Sequence, residues 1–276
     1  MSKEIKDSKI CLSTISLWPW STLIASTELT HSIARMYEFN GLEIHPGLTV
    51  VREFEKKGFL NVPNEAINSV HESFKTDQRI QKEKGWKTEA NASLPAIIKA
   101  FIIWNSFPSE SRSYSTTKGI EKYLGIPVVI HWVDETEKFD KPLLEVHQDI
   151  RMSPEEIRNW AEFSSKRGLV IDLSHRKFWS YLLSQNINPS EWKNILSSFM
   201  PYVREVHFQI GSREEVNQVL RGITGGQLGQ TLRYIKESKP EIPIVVEATS
   251  LASSSSAYLG YKPIFYRKII DFIRKA

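Results

Sequence analysis

The chain has 276 residues, 41% hydrophobic and 25% charged, which suits one α/β barrel of roughly 250 residues or two smaller domains. Thirty-six basic and 32 acidic residues leave a net charge of +4, too small an excess to indicate a nucleic-acid binder by itself. The only cysteine, Cys11, excludes an intramolecular disulfide and fits a reducing, cytoplasmic compartment.

Three lysines (Lys3, Lys6, Lys9) precede an apolar stretch and loosely imitate a signal peptide, but Glu4 and Asp7 dilute the positive end and Pro19 interrupts the run. A first buried strand over 9–15 is the expected reading. Further strands are expected over 40–45, 67–73, 126–133, 142–147, 168–174, 203–209 and 242–249. Helical patterns fall over 27–38, 49–57, 92–106, 154–167, 189–199, 213–221, 227–238 and 263–274. Ser153 followed by Pro154 and two acids marks a helix start, and "NPSEW" at 188–192 does the same. Gly168 is read as the stop of the helix before the sixth strand. Alternating strands and helices argue for parallel strands joined by crossovers, and eight of them for a single (β/α)8 TIM barrel over 1–276.

Two polar segments break the rhythm and are expected to be loop excursions: 74–91, a candidate lid, and 107–119. The stretch "VDETEKFDK" after the fourth strand is too short for a full crossover helix. No run is long and apolar enough to span a membrane; the best, "LPAIIKAFIIWNSF", is short and carries Lys99.

The strands carry a second pattern. A strand buried on both faces should be apolar throughout, yet several here are polar on one face. Glu43 and His45 oppose Leu42 and Ile44; His131 opposes Ile130 and Trp132; Glu145 and His147 oppose Leu144 and Val146. Glu205, His207 and Gln209 oppose Val206 and Phe208, and Glu247 opposes Val246 and Ala248. The apolar face suits packing on helices; the polar face suits a barrel interior that holds a ligand. Glu145, Asp172, His207 and Glu247 fall at the carboxyl ends of four successive strands, where a parallel barrel builds its active face. Three carboxylates and one imidazole converging on a point are a divalent-metal site favouring Mn, Mg or Co. His71 and His131 are each read as a satisfied core histidine, a hydrogen-bond donor to substrate or a further ligand; were they ligands, Zn or Fe in a dinuclear site would follow.

These four residues, in order, type and strand number, resemble the metal ligands of the xylose isomerase-like barrels, which comprise sugar phosphate isomerases and epimerases and the endonuclease IV group. Asp172 lies in "DLSH", similar to the family's Asp-x-x-His, which adds His175. "GLEIHPG", "VHESF" and "VIHW" resemble its second, third and fourth strands. The resemblance implies a metal-dependent isomerase or epimerase that moves a proton through an enediolate, with Glu145 and Glu247 as the acid/base pair and Arg213 against substrate oxygens. It implies a small-molecule sugar or sugar phosphate as partner, with nucleic acid as the alternative for an endonuclease IV-like phosphodiesterase, and pairing into a homo-oligomer. A non-catalytic sugar-binding barrel is a third reading. Two departures matter. Where epimerases often carry another glutamate after the fifth strand, this chain has Arg151, which suits a phosphate or carboxylate. The Asp-x-His that a trinuclear endonuclease needs after the seventh strand is replaced by "QIGSREEVNQ". Trp18 and Trp20 are candidates for stacking on a sugar or base, and Trp86 for anchoring the lid.

Overall fold

The computed structural model describes residues 8–14, 27–72, 109–147, 149–173, 178–210, 213–247 and 263–276. In chain order the elements are β1 (Ile10–Ser13), α1 (Thr27–Met36), β2 (Gly41–Ile44), α2 (Leu48–Lys57), β3 (Ile67–His71), α3 (Glu110–Leu124), β4 (Val128–Ile130), β5 (Pro142–Val146) and α4 (Pro154–Glu162). They continue with β6 (Gly168–Asp172), α5 (Phe178–Ser184), α6 (Trp192–Phe199), β7 (Val203–Gln209), α7 (Arg213–Arg221), α8 (Gln227–Ser238), β8 (Ile244–Glu247) and α9 (Pro263–Lys275). The strands form a closed parallel barrel in sequence order. Closure runs through β1 and β8, with Ile10, Cys11 and Leu12 paired to Ile244, Val245 and Val246. The protein is a (β/α)8 barrel, as the alternation of elements predicts.

The barrel wall separates two apolar cores. The outward face of the strands (Leu12, Leu42, Ile44, Val70, Ile130, Leu144, Ile171, Val206, Phe208 and Val246 among others) packs into one continuous cluster with the helices. Phe208, fully buried, meets the ring of Phe272 on α9 with centroids 5.9 Å apart. Val129, Leu143 and Val170 form a second, separate cluster. They occupy the alternate positions of β4, β5 and β6, two residues before His131, Glu145 and Asp172. Side chains of a strand change face at every residue, so this small apolar plug fills the interior directly beneath the polar layer. Cys11, also fully buried, has its thiol pushed well up by burial and is a packing residue, not a nucleophile.

Three sequence expectations change here. The segment expected as a loop at 107–119 is helical from Glu110, where α3, a helix of 15 residues, begins. Its buried positions include Ser113, Thr116, Thr117, Ile120 and Glu121, spaced as one helical face but mostly hydroxyl-bearing. Thr117 donates to the carbonyl of Ser113, and Glu121 accepts from the backbone N–H groups of Asp140 and Lys141, pinning the approach to β5. Gly168 is not a helix stop, for α4 ends at Glu162 and Gly168 opens β6. A β-carbon there would come 2.4 Å from Arg204 Cγ and 2.8 Å from Leu143 Cδ2, so the glycine serves close approach between strands. A short helix, α5, also precedes the expected 189–199 segment.

Other expectations hold. The fourth crossover is reduced to a 3-10 turn, Val133–Lys138. Ser153 and Glu156 form a reciprocal capping box at the start of α4, behind Pro154. Asn188 caps a 3-10 turn that runs into α6. Among the described residues no helix is long and apolar enough to cross a membrane. The expected helix at 92–106, the candidate lid at 74–91, and Trp18, Trp20 and Trp86 lie outside the described residues.

Candidate metal centre

Each candidate ligand arrives at the mouth on a different strand. His71 is the last residue of β3, His131 follows β4, Glu145 is the penultimate residue of β5, Asp172 ends β6, His207 is the fifth residue of β7, and Glu247 ends β8. The register sets Asp172 level with His207, while Glu145 pairs with Val170 and Glu247 with Gln209, so the ligands rise around the mouth in steps of two residues. Six candidate ligands are thus brought together, all buried to 6% exposure or less. One ligand atom from each of Glu145, Asp172, His207 and Glu247 lies within 4.8 Å of the others. A second such group is His71, His131 and Glu145, and a third is Glu43, His71, His207 and Glu247.

Imidazoles and carboxylates alternate through the site. His131 Nε2 is 2.8 Å from Glu145 Oε2, and His207 Nδ1 is 3.4 Å from Glu145 Oε1 and 3.7 Å from Glu247 Oε2. On its other side, His207 Nε2 is 3.0 Å from both Glu205 Oε1 and Glu43 Oε2. His71 Nδ1 donates to the carbonyl of Glu72 at 3.0 Å, so its Nε2 carries the lone pair. That Nε2 is 3.9 Å from Glu145 Oε2. His45 stacks on His71 with ring centroids 4.3 Å apart and puts Nε2 3.1 Å from Glu43 Oε1 and 3.5 Å from Glu247 Oε1. Beneath the mouth, Asn68 donates to Glu205.

Proton affinities follow from this packing. Burial lowers the His71 pKa to about 3, helped by the imidazoles of His45 and His131, so His71 is neutral. Burial acts the same way on His45, but the hydrogen bonds it donates to Glu247 and Glu43 outweigh it and raise His45 to about 9. His207 goes well up against burial because Glu43 and Glu247 face it. Glu43 goes well down against burial because His207 does. Glu205, one layer deeper, is raised by burial.

The donor set fits a divalent cation. Glu43, Glu145, Asp172, Glu205 and Glu247 bring five carboxylates into an interior where an ionised group must find opposite charge, and four imidazoles are within reach of them. Oxygen and imidazole donors without thiolate select the Mn, Mg, Co, Fe and Zn group.

Of the remaining sequence candidates, His175 lies outside the described residues. Arg213 is the first residue of α7, just after the β7 strand end. Arg151 is exposed on the segment after β5. His147 is a structural histidine: Asp149 N–H donates to its Nδ1, and its Nε2 meets the carbonyl of His131 at 3.1 Å. Glu43 is the residue that sequence reasoning missed as a site member. Its polar-face position on the second strand is legible, but many strands share that pattern, and only the 3.0 Å approach to His207 singles it out.

No family model matches the chain, and no curated protein matches it. Solved structures do align over nearly its whole length. AsfvAP, in the crystal structure of AsfvAP:AG, is 11% identical with a TM-score of 0.41, covering 96% of this chain and 99% of that one. A sugar phosphate isomerase/epimerase from Parabacteroides distasonis is 13% identical with a TM-score of 0.45, covering 95% of this chain and 96% of that one.

Proposed function

We propose that this barrel is a divalent-metal-dependent isomerase or epimerase of a sugar or sugar phosphate. The observation that carries the reading is the convergence of Glu145, Asp172, His207 and Glu247 from strands 5 to 8, with His207 Nδ1 facing both glutamates. The proton on a sugar carbon next to a carbonyl is very weakly acidic. Glu145, Asp172, His207 and Glu247 would hold a divalent ion, whose positive charge would stabilise the negative charge that develops on substrate oxygens as that proton leaves. Glu145 on β5 and Glu247 on β8 reach the site from different strands and both face His207 Nδ1, so one carboxylate could take a proton and the other return it. Return to the same carbon gives an epimer; return to the neighbouring carbon gives an isomer. Arg151, exposed after β5, suits a substrate phosphate, and Arg213 at the start of α7 is proposed to meet substrate oxygens, as is His175.

Solvent deuterium incorporation into a panel of ketoses and ketose phosphates, read by NMR with Mn²⁺, Mg²⁺ or Co²⁺ present, tests the reading. A turned-over substrate should lose exchange by about 10²–10⁴-fold in Glu145→Gln and in Glu247→Gln, the usual worth of a positioned acid or base. Full activity in the folded double variant would exclude the mechanism.

A second reading has its own observation. His71, His131 and Glu145 form a ligand group beside the first, which favours a dinuclear phosphodiesterase of the endonuclease IV type. Cleavage of abasic-site DNA together with silence on every sugar would replace the isomerase by this enzyme. Silence on both, with no metal bound, would leave a sugar-binding barrel.

A further inference from the structure

We propose that the barrel mouth holds a second divalent cation on its β2 side, ligated by Glu43, His71 and Glu247, with Glu247 shared with the first ion. This rests on the metal reading above and adds a position to it. Ligand atoms of Glu43, His71, His207 and Glu247 lie within 4.8 Å of one another, and all four residues are buried.

His207 has a nitrogen on each side of its ring, but the two are not equivalent. Nε2 makes its hydrogen bond with Glu205 Oε1 at 3.0 Å, which leaves Nδ1, on the Glu145 and Glu247 side, as the lone pair for the first ion. Glu43 Oε2 is at the same 3.0 Å from Nε2, but that nitrogen's hydrogen bond is with Glu205, and Oε2 is left without a hydrogen-bond partner of its own. An ionised oxygen with no exposure and no donor is strongly unfavourable, and a cation beside it removes the penalty.

His71 is prepared in the same sense: with Nδ1–H committed to the Glu72 carbonyl, its Nε2 can only accept. Glu247 has an oxygen for each position, Oε2 towards His207 Nδ1 and Oε1 towards His45. His45, between Glu43 and Glu247 and stacked on His71, closes the β2 position from the mouth. Two carboxylates and an imidazole suit Mn²⁺ or Zn²⁺.

The competing place for a second ion is the β3 to β5 side, with His71, His131 and Glu145. The full chain, stripped with chelator and dialysed against Mn²⁺ or Zn²⁺, should bind two ions by elemental analysis and calorimetry. The count should fall to one in Glu43→Gln and stay at two in His131→Asn. Two ions in Glu43→Gln with one in His131→Asn would overturn the proposal. A single ion in the native protein, lost in Asp172→Asn, would also overturn it while leaving the proposed function intact; no ion at all would remove both. Should Glu43→Gln fail to fold by circular dichroism, electron paramagnetic resonance of the Mn²⁺-loaded His131→Asn variant, which lacks the competing ligand, decides. A spin-coupled pair is expected, and an uncoupled single-ion spectrum would count against the second position.

Discussion

Glu72 directly follows β3, beside the candidate ligand His71, and shows how a single carboxyl reports on its neighbours. Burial raises its pKa, and the carboxyl of Glu135 in the turn after β4 raises it further, to about 10. The folded protein therefore holds this group protonated, whereas the unfolded chain releases the proton in the ordinary carboxylate range. Its contribution to stability is fully present below that range and is lost progressively as pH rises towards about 10. Glu72→Gln keeps the shape and removes the proton. Chemical denaturation from pH 4 to pH 9 should find the variant gaining on the native protein as pH rises, and parallel curves would show that Glu72 ionises normally. None of this is legible in "VHESF", because the shift belongs to an approach between two strands' ends. The same holds for Glu43, whose alternation with Leu42 and Ile44 gives its face but not its distance to His207.

At the scale of elements, legibility followed the chemistry of the buried face. Strands that alternate apolar and polar residues, such as β5 and β7, appear within a residue or two of their expected bounds. The start of α4 was equally plain because Ser153, Pro154 and Glu156 are a local code. Ser153→Ala should cost about 1 kcal/mol, the usual worth of an N-cap, measured by chemical denaturation. Because the hydrogen bonds to Ser153 hold the Glu156 carboxyl below its ordinary pKa, that residue's share is present at neutral pH and fades as pH falls through the lowered value. In contrast α3 was read as loop. Its inward stripe of Ser113, Thr116 and Thr117 follows helical spacing, but hydroxyl groups carry no hydrophobic signal. Thr117 can be buried because its hydroxyl donates to the backbone carbonyl of Ser113.

Across the whole molecule, the proposed ion binding would link the site to the stability of the barrel. A cation that binds only the folded state adds about 2.7 kcal/mol when present at a hundred times its dissociation constant. For a chain of this size that is a rise in Tm of about 5–10 °C, which chelator should reverse. Scanning calorimetry with and without Mn²⁺ checks it. An unchanged Tm across the ion panel would mean that the buried carboxylates of strands 5 to 8 are neutralised from within, by the imidazoles already beside them.

The pairing of β8 with β1 has a consequence for the order of assembly. Glu247 is delivered by β8, which follows the other seven strands along the chain and must pair with both β7 and β1, at Ile10 to Leu12, to close the barrel. Until it does, Glu43, Glu145 and Asp172 face an open trough in which water can reach them. Inserting β8 closes the wall and shuts the acids in one step. The contacts that complete the binding site are therefore among the longest in sequence separation, the kind that form late and slowly. A nascent or truncated chain lacking β8 has two open sheet edges, a template for pairing with other chains.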